Sequence, residues 1–221
     1  MAEGTAGVVQ VSAAVRRTFF VLILAVMGVT SAATLFAQNP STPPAPQGRG
    51  GGRGRGPVIV MALTSPAFVD GARIPDRNAQ AGHDVSPSLS WIGAPDSTAS
   101  FVLIVHDLDA AIGNGTDDML QWMVWNIPGS THSLPEGVPQ GGQLADGSRQ
   151  ISGTGPYYRG PAAPVSGPVH HYAFELYALD VMLDVPAVGA APAATRAAVM
   201  AAMATHIRGK AVTVGLYRRA P

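Results

Sequence analysis

The chain has 221 residues, of which 47% are hydrophobic, 13% are charged and none is cysteine, and its formal net charge is zero. The lack of cysteine excludes a disulfide-stabilised scaffold, a thiolate metal site and a cysteine nucleophile. The 26 glycines and 19 prolines disfavour a helical bundle, because both residues break helices, and favour strands joined by many turns.

The first 37 residues follow the order of a secretory signal. Arg16 and Arg17 precede an uncharged stretch, residues 18–37, which begins with an apolar block and continues into small residues,. We predict that residues 1–37 are a signal peptide or an N-terminal membrane segment, and that the protein is exported to the periplasm or secreted. The stretch is also long enough to span a bilayer, so the alternative is a protein anchored by residues 18–37, with membrane contact through this segment alone.

Residues 38–56 read QNPSTPPAPQGRGGGRGRG. Such a composition cannot bury apolar surface, so we predict a disordered linker. Residues 1–56 carry five arginines and one acidic residue, whereas residues 57–221 carry nine basic and thirteen acidic residues. The part expected to fold is therefore mildly acidic, which argues against a nucleic-acid partner.

Residues 57–221 are predicted to form one β-rich domain. The apolar run Phe101–Val105 is typical of a buried central strand, and the segment 171–179 alternates, with Tyr172 and Phe174 on the same face,. Further strands are predicted at residues 58–63, 122–125 and 211–217. The balance of elements predicts a mainly β fold, an antiparallel β-sandwich with one or two peripheral helices near the C-terminus.

One helical pattern stands out near the C-terminus. Pro192 suits a first helical turn, and the alanine-rich run that follows extends to Ile207,. Met200, Met203 and Ile207 recur at helical spacing and are predicted to form a buried stripe. Gly209 is predicted to follow the end of this helix.

Polar residues concentrate at the ends of two predicted strands. Asp107 and Asp109 follow the strand 101–105, and residues two apart on an extended chain point the same way, so their repulsion needs a metal, a proton, an arginine or backbone donors. His170 and His171 open the alternating strand and should face opposite sides, so that one can line a pocket. The alternatives are a solvated turn for the acids and a structural role for the histidines.

Several well-known catalytic signatures are missing from the chain. It has no G-x-S-x-G elbow, no H-E-x-x-H motif and no phosphate-binding P-loop,. The segment 113–118 is similar to a calcium loop but lacks the spacing and the final glutamate of an EF-hand, so we predict a turn. We predict no cofactor, no metal site and no catalytic residues.

Four segments of the chain carry motifs that occur together in one known family: residues 84–91 (DVSPSLSW), 101–111 (FVLIVHDLDAA), 121–128 (QWMVWNIP) and 160–180 (GPAAPVSGPVHHYAFELYALD). In this order they resemble the phosphatidylethanolamine-binding protein family, in particular its bacterial Raf-kinase-inhibitor-like branch. The first segment resembles the family's SPxLSW strand, and the second the strand that leads into its DPDAP motif. The third is similar to its HWxVxNIP segment, and the fourth to its GPxPP and HxYxFxLYALD segments. The resemblance covers nearly the whole of the predicted domain.

The resemblance implies a β-sandwich with a small pocket at one end that accepts phosphate-like or carboxylate-like groups. It implies the following ligand-binding residues: Asp107, Asp109, Gln121, Trp122, Gly160, Pro161, Pro164, His170 and Tyr172. The chain departs from the family's motifs at Leu108, Ala111, Gln121 and Ala163, which stand where the family has prolines or, at residue 121, a histidine. Looser loops and the lost positive charge predict weaker anion affinity than in typical members.

The function expected from these residues is binding without catalysis. A phosphoethanolamine head offers an ammonium to the acids and a phosphate to His170, so we predict a small anionic or zwitterionic ligand. A protein-interaction module that inhibits a protease or a kinase-like partner is the alternative. A metal-assisted hydrolase that uses Asp107, Asp109 and a histidine is the second alternative.

Overall fold

The computed structural model describes residues 57–187 and 191–221. The predicted signal segment (1–37) and linker (38–56) lie outside these residues. Within the described residues, no helix is long and apolar enough to cross a membrane.

The described chain forms two β-sheets and one α-helix, and the predicted mainly β fold is confirmed. The six-stranded sheet has the order β1-β9-β8-β4-β5-β7 and the three-stranded sheet the order β2-β3-β6. Neighbouring strands are antiparallel except for β1 and β9. The elements are β1 (Ile59–Val60), β2 (Ala62–Thr64), a 3-10 helix (Asp76–Asn78), β3 (Leu89–Ile92), β4 (Ser100–Ile112), β5 (Asp117–Pro128), β6 (Ser133–Leu134), β7 (Arg149–Ile151), β8 (His170–Leu179), α1 (Pro192–Met203) and β9 (Ile207–Tyr217).

The large sheet is buried on both faces at its centre. Phe101, Leu103 and Val105 of β4 belong to one hydrophobic cluster together with Leu63 and Trp91, which come from the small sheet. The alternate residues of β4 belong to a second cluster, which includes Val199 and Met203 of α1. A strand that is buried on both sides needs apolar residues at every position, which explains the uninterrupted run in the sequence.

The N-terminal run 58–63 differs from the single strand predicted for it. Residues 59–60 pair with β9 of the large sheet, whereas residues 62–64 pair with β3 of the small sheet. Met61 lies between the two strands and is buried. The chain therefore passes from one sheet to the other within this run, and a local pattern of apolar residues contains no information about which sheet each residue joins.

Helix α1 begins at Pro192 as predicted but ends earlier, at Met203. Its buried stripe consists of Thr195, Val199 and Met203, while the predicted member Met200 is exposed. Ile207 belongs to β9, where it pairs with Leu179. The prediction of a helix to residue 207 was wrong because pairing with β8 satisfies the backbone of residues 207–217, a tertiary effect that overrides helix propensity.

Candidate functional site

Asp107 and His170 form a largely buried pair at one end of the core between the sheets. Asp107 continues the inward face of β4 and lies opposite Tyr172 in the register with β8, so the first residue of β8, His170, is beside it. Both carboxylate oxygens of Asp107 accept a hydrogen bond from Nδ1 of His170, Oδ1 at 3.0 Å and Oδ2 at 2.9 Å. The side chain of Asp107 is 6% exposed and that of His170 is 15% exposed, so little solvent screens their interaction.

The carboxylate fixes which nitrogen of His170 remains available. Nδ1 carries the hydrogen that Asp107 accepts, and Nε2 has no hydrogen-bond partner within residues 57–187 and 191–221. The Asp107 carboxylate also accepts the backbone N–H of Asp109 at 3.1 Å. Nε2 is therefore the atom of this pair that can contact a ligand, as a donor when the ring is protonated and as an acceptor when it is neutral.

Tyr172 joins this pair to the loop that precedes β8. Its ring stacks on that of His170, with centroids 6.4 Å apart, and its hydroxyl oxygen accepts the N–H groups of Ala162 and Ala163 at 3.2 and 3.1 Å. Burial raises the pKa of this hydroxyl above its usual range, and the nearby Asp107 carboxylate raises the pKa further. Tyr172 therefore stays a neutral phenol that holds the loop against the site.

Gln121 supports the same loop from inside the domain. It is the extra residue of a β-bulge in β5, because Trp122 pairs with Val105 and Leu120 with His106; bulges redirect side chains in this way. In the amide orientation that satisfies its polar atoms, Nε2 donates to the carbonyls of Arg159 and Gly160 at 2.9 and 3.2 Å. The amide thus contacts the backbone of the loop.

Three further residues predicted to bind the ligand, Trp122, Pro161 and Pro164, differ in how far they are buried. Trp122 is fully buried, donates from its indole nitrogen to Gln150 at 2.8 Å, and packs edge-on against Tyr158, so its side chain belongs to the core. Pro161 is buried and Pro164 is exposed.

The two aspartates contact different histidines, Asp107 the side chain of His170 and Asp109 that of His171. Asp109 accepts the backbone N–H of His171 at 2.6 Å and contacts its Nδ1 at 2.9 Å, on the exposed side of the strand. The predicted alignment of both carboxylates toward one spot needs correction, because β4 loses regular pairing with β5 after Asp107. The His171 backbone N–H lowers the pKa of Asp109, and both His171 and His170 lower it further by their charge.

A second polar cluster, which the sequence did not predict, lies on the opposite face of the large sheet. His106 contacts Asp118 through Nδ1 at 2.5 Å and Glu175 through Nε2 at 3.4 Å. Arg196 of α1 pairs with Asp118, and Lys210 of β9 pairs with Glu175. The signal in the sequence is that His106 and Glu175 interrupt the apolar faces of β4 and β8 at positions that the register brings opposite Ala173 and Ile104.

Opposite charges govern the titration of this cluster. Burial lowers the pKa of His106, but the close contacts with the negatively charged Glu175 and Asp118 outweigh burial, so its pKa is raised. The contact with Nε2 of His106, assisted by Lys210 and Tyr177, lowers the pKa of Glu175 to about 2. The cluster therefore favours a charged imidazolium between two carboxylates.

Protein stability should consequently fall as the pH rises through the folded-state pKa of His106. A raised folded-state pKa contributes stability that is complete below the unfolded value near 6.5 and is lost above the folded value, with a slope of at most about 1.4 kcal/mol per pH unit for one proton. Urea unfolding between pH 5.5 and 9 should show this decline, and His106→Gln should remove it. The exposed His132, changed to Gln, is the control; a decline that persists in His106→Gln contradicts the assignment.

Two concavities are lined by neither Asp107 nor His170. One, of about 700 Å³, lies between α1 and the β4–β5 hairpin and is lined mainly by apolar residues such as Leu120, Pro192 and Met200, with Asp118 and Arg196 at its wall. A smaller one, of about 140 Å³, lies along the hairpin and is lined by Asp109 together with Asp117 and Asp118. Among the described residues, no group of three His, Asp or Glu side chains is arranged to hold a metal ion.

Comparison with known proteins decides the family. The model of the family described as phosphatidylethanolamine-binding protein matches residues 64–218. The chain belongs to this family. Among its relatives, the UPF0098 protein of Methanothermobacter thermautotrophicus is 44% identical over 162 residues, which cover 72% of this chain and 99% of that protein. The UPF0098 protein YbhB of Escherichia coli is 37% identical over 131 residues, 55% of this chain and 79% of YbhB.

Two further relatives bear on structure and location. The crystal structure of the phosphatidylethanolamine-binding protein homologue CT736 from Chlamydia trachomatis aligns with a TM-score of 0.59 and 31% identity, covering 72% of this chain and 98% of that one. LppC of Mycobacterium tuberculosis, named as a candidate lipoprotein, is 35% identical over 158 residues, 71% of this chain and 72% of LppC. The predicted membership of the phosphatidylethanolamine-binding protein family, in its YbhB type, is thus confirmed.

Proposed function

We propose that this phosphatidylethanolamine-binding protein family member is an exported protein that binds a small anionic or zwitterionic group, phosphate-like or phosphoethanolamine-like, beside His170 without transforming it. The observation that carries the proposal is the Asp107–His170 pair, whose carboxylate holds Nδ1 and leaves Nε2 for a ligand. A protonated ring donates from Nε2 to an anionic oxygen, and such charge-assisted hydrogen bonds are the strong ones.

The different surroundings of Asp107 and Asp109 favour a zwitterionic ligand. Asp107 already accepts from His170 and from a backbone N–H, whereas Oδ1 of Asp109 has no donor among the described residues and its side chain is 37% exposed. Since the pKa of Asp109 is lowered, it is ionised at neutral pH. An ammonium group next to a phosphate is therefore expected at Asp109 rather than at Asp107.

The groups around the imidazole support the proposal of binding without catalysis. Within the described residues, His170 contacts Asp107 and the ring of Tyr172, and neither is an activated nucleophile. The Tyr172 hydroxyl has a raised pKa and its oxygen already accepts two backbone N–H groups. Export rests on the signal-like order of residues 1–37 and on the relative named as a candidate lipoprotein.

Isothermal titration of the full-length chain with inorganic phosphate and with phosphoethanolamine tests this proposal. His170→Ala should weaken the binding of both more than about tenfold, because a hydrogen bond to a charged group contributes about 1.5–3 kcal/mol. His171→Ala is the matched control, since His171 is the neighbouring, exposed histidine, and it should leave phosphate affinity nearly unchanged.

These titrations can refute either the whole proposal or only its zwitterionic part. Wild-type protein that binds neither compound at millimolar concentration, or His170→Ala protein that binds both as well as the wild type does, refutes the proposal. Asp109→Asn should weaken phosphoethanolamine relative to phosphate. Equal effects on the two ligands would remove the zwitterionic part of the proposal and leave a plain anion site.

A further inference from the structure

The loop 160–163 is held from outside by a segment remote in sequence, residues 78–84. The Gly160 N–H donates to Oδ1 of Asp84 at 2.8 Å, and the Gly160 carbonyl accepts from Nε2 of Gln80, also at 2.8 Å. The backbone N–H of Gln80 donates in turn to the Pro161 carbonyl at 3.1 Å. Because Gly160 is buried, its N–H would lose a protein partner without Asp84, and buried backbone donors are rarely left unpaired.

Asp84 keeps this contact at a conformational cost. Its φ is +53°, a left-handed conformation that glycine adopts freely and that disfavours residues with a Cβ, although aspartate and asparagine tolerate it better than most. For the backbone alone, glycine would be the better residue here. What aspartate adds is the side-chain oxygen that accepts the Gly160 N–H.

A short series of contacts connects Asp84 with the imidazole. Asp84 fixes the peptide of Gly160, and two residues later the N–H groups of Ala162 and Ala163 bind the Tyr172 hydroxyl. Tyr172 stacks on His170. A shift of the Gly160 peptide would therefore move the groups that fix Tyr172 and, through it, the ring that we propose contacts the ligand.

We infer that Asp84 is a positioning residue for the ligand site: it accepts the Gly160 N–H and so holds the wall of the site in the geometry that binds an anion. The inference rests on the proposed function, because it assumes that the wall formed by residues 160–163 borders the ligand. Nothing in the role requires Asp84 to touch the ligand, and its charge is dispensable as long as an acceptor oxygen remains.

Two variants of Asp84 separate the effect of its side-chain hydrogen bond from the effect of its backbone conformation. Asp84→Asn retains both the tolerance of positive φ and an acceptor oxygen, whereas Asp84→Gly retains the conformation and removes the acceptor. In titrations of the full-length chain with inorganic phosphate, Asp84→Asn should bind within about twofold of the wild type. Asp84→Gly should bind about fivefold more weakly, which corresponds to the loss of one ordinary hydrogen bond.

Amide NMR shows whether the wall itself responds. In Asp84→Gly, the Gly160 N–H resonance should move and its protection from hydrogen exchange should fall, and the amides of Ala162 and Ala163 should follow; Asp84→Asn should restore all three. A wild-type chain that fails to bind phosphate refutes the proposed function, and the amide signals then still decide whether Asp84 positions the loop. Normal phosphate affinity in Asp84→Gly, or unchanged loop amides, overturns the inference alone.

Discussion

Replacing Gly160 with alanine is expected to lower the free energy of unfolding by about 2 kcal/mol and to weaken phosphate binding more than about tenfold. A Cβ at this position would lie 2.4 Å from the carbonyl oxygen of Asn78 and 2.7 Å from Cα of Ala79. Both are backbone atoms that cannot rotate away, so the loop has to move, and overpacking of this kind costs about 1–3 kcal/mol. The displaced loop also carries the N–H groups that fix Tyr172.

Gly167→Ala is the matched control, because Gly167 lies in the same connection between β7 and β8. The nearest atom to its added Cβ is Cγ of Pro164, at 3.2 Å, so the ring of this exposed proline has to give by only a few tenths of an ångström. Urea unfolding and phosphate titration should therefore both stay close to wild-type values for Gly167→Ala. If Gly160→Ala behaves like this control, the close packing of Gly160 on Asn78 does not contribute to the site.

Substitution of Asn126 by alanine is expected to destabilise the domain by about 3 kcal/mol. Its amide forms two hydrogen bonds with the backbone of Leu183, accepting the N–H at 2.7 Å and donating to the carbonyl at 2.9 Å. Asn126 is buried and has a φ of +59°. Alanine would leave two buried polar groups of Leu183 unpaired and would keep a Cβ in a left-handed conformation, which costs roughly 1–2 kcal/mol.

Asn126→Gly separates the two contributions, because glycine loses the hydrogen bonds but has no penalty at positive φ. Urea unfolding should give a smaller loss of stability for glycine than for alanine. Equal losses would assign the whole effect to the hydrogen bonds with Leu183, and a loss below about 0.5 kcal/mol in both variants would contradict the prediction.

The sequence predicted that several of these polar residues lie close together, but not how they pair. The resemblance to the family identified Asp107, His170 and Tyr172, which the structure brings into contact. It grouped Asp109 with them, whereas Asp109 bonds to His171. Alternation along a strand predicts the face of a residue only while pairing stays regular, and β4 departs from regular pairing with β5 after Asp107.

For the His106 cluster, the sequence predicted neither the members nor their contacts. Its residues come from four elements, β4, β5, β8 and β9, with Arg196 added by α1. A histidine within an apolar strand is compatible with many environments, and the sequence contains no local signal that its partners are Asp118 and Glu175. The pairing of β4 with β5 and with β8 brings them together.

The sequence by itself determined the mainly β fold and the centres of the long strands, because apolar runs, alternation and turn residues are local properties that secondary structure follows directly. The family followed separately, from the resemblance of four segments to its motifs. Only the tertiary structure decided where α1 ends, which carboxylate meets which imidazole, and that Asp84 and Gly160 are in contact. These depend on strand register, on bulges and on the distance between segments after folding, and a shift of one residue in pairing reverses which face each side chain occupies.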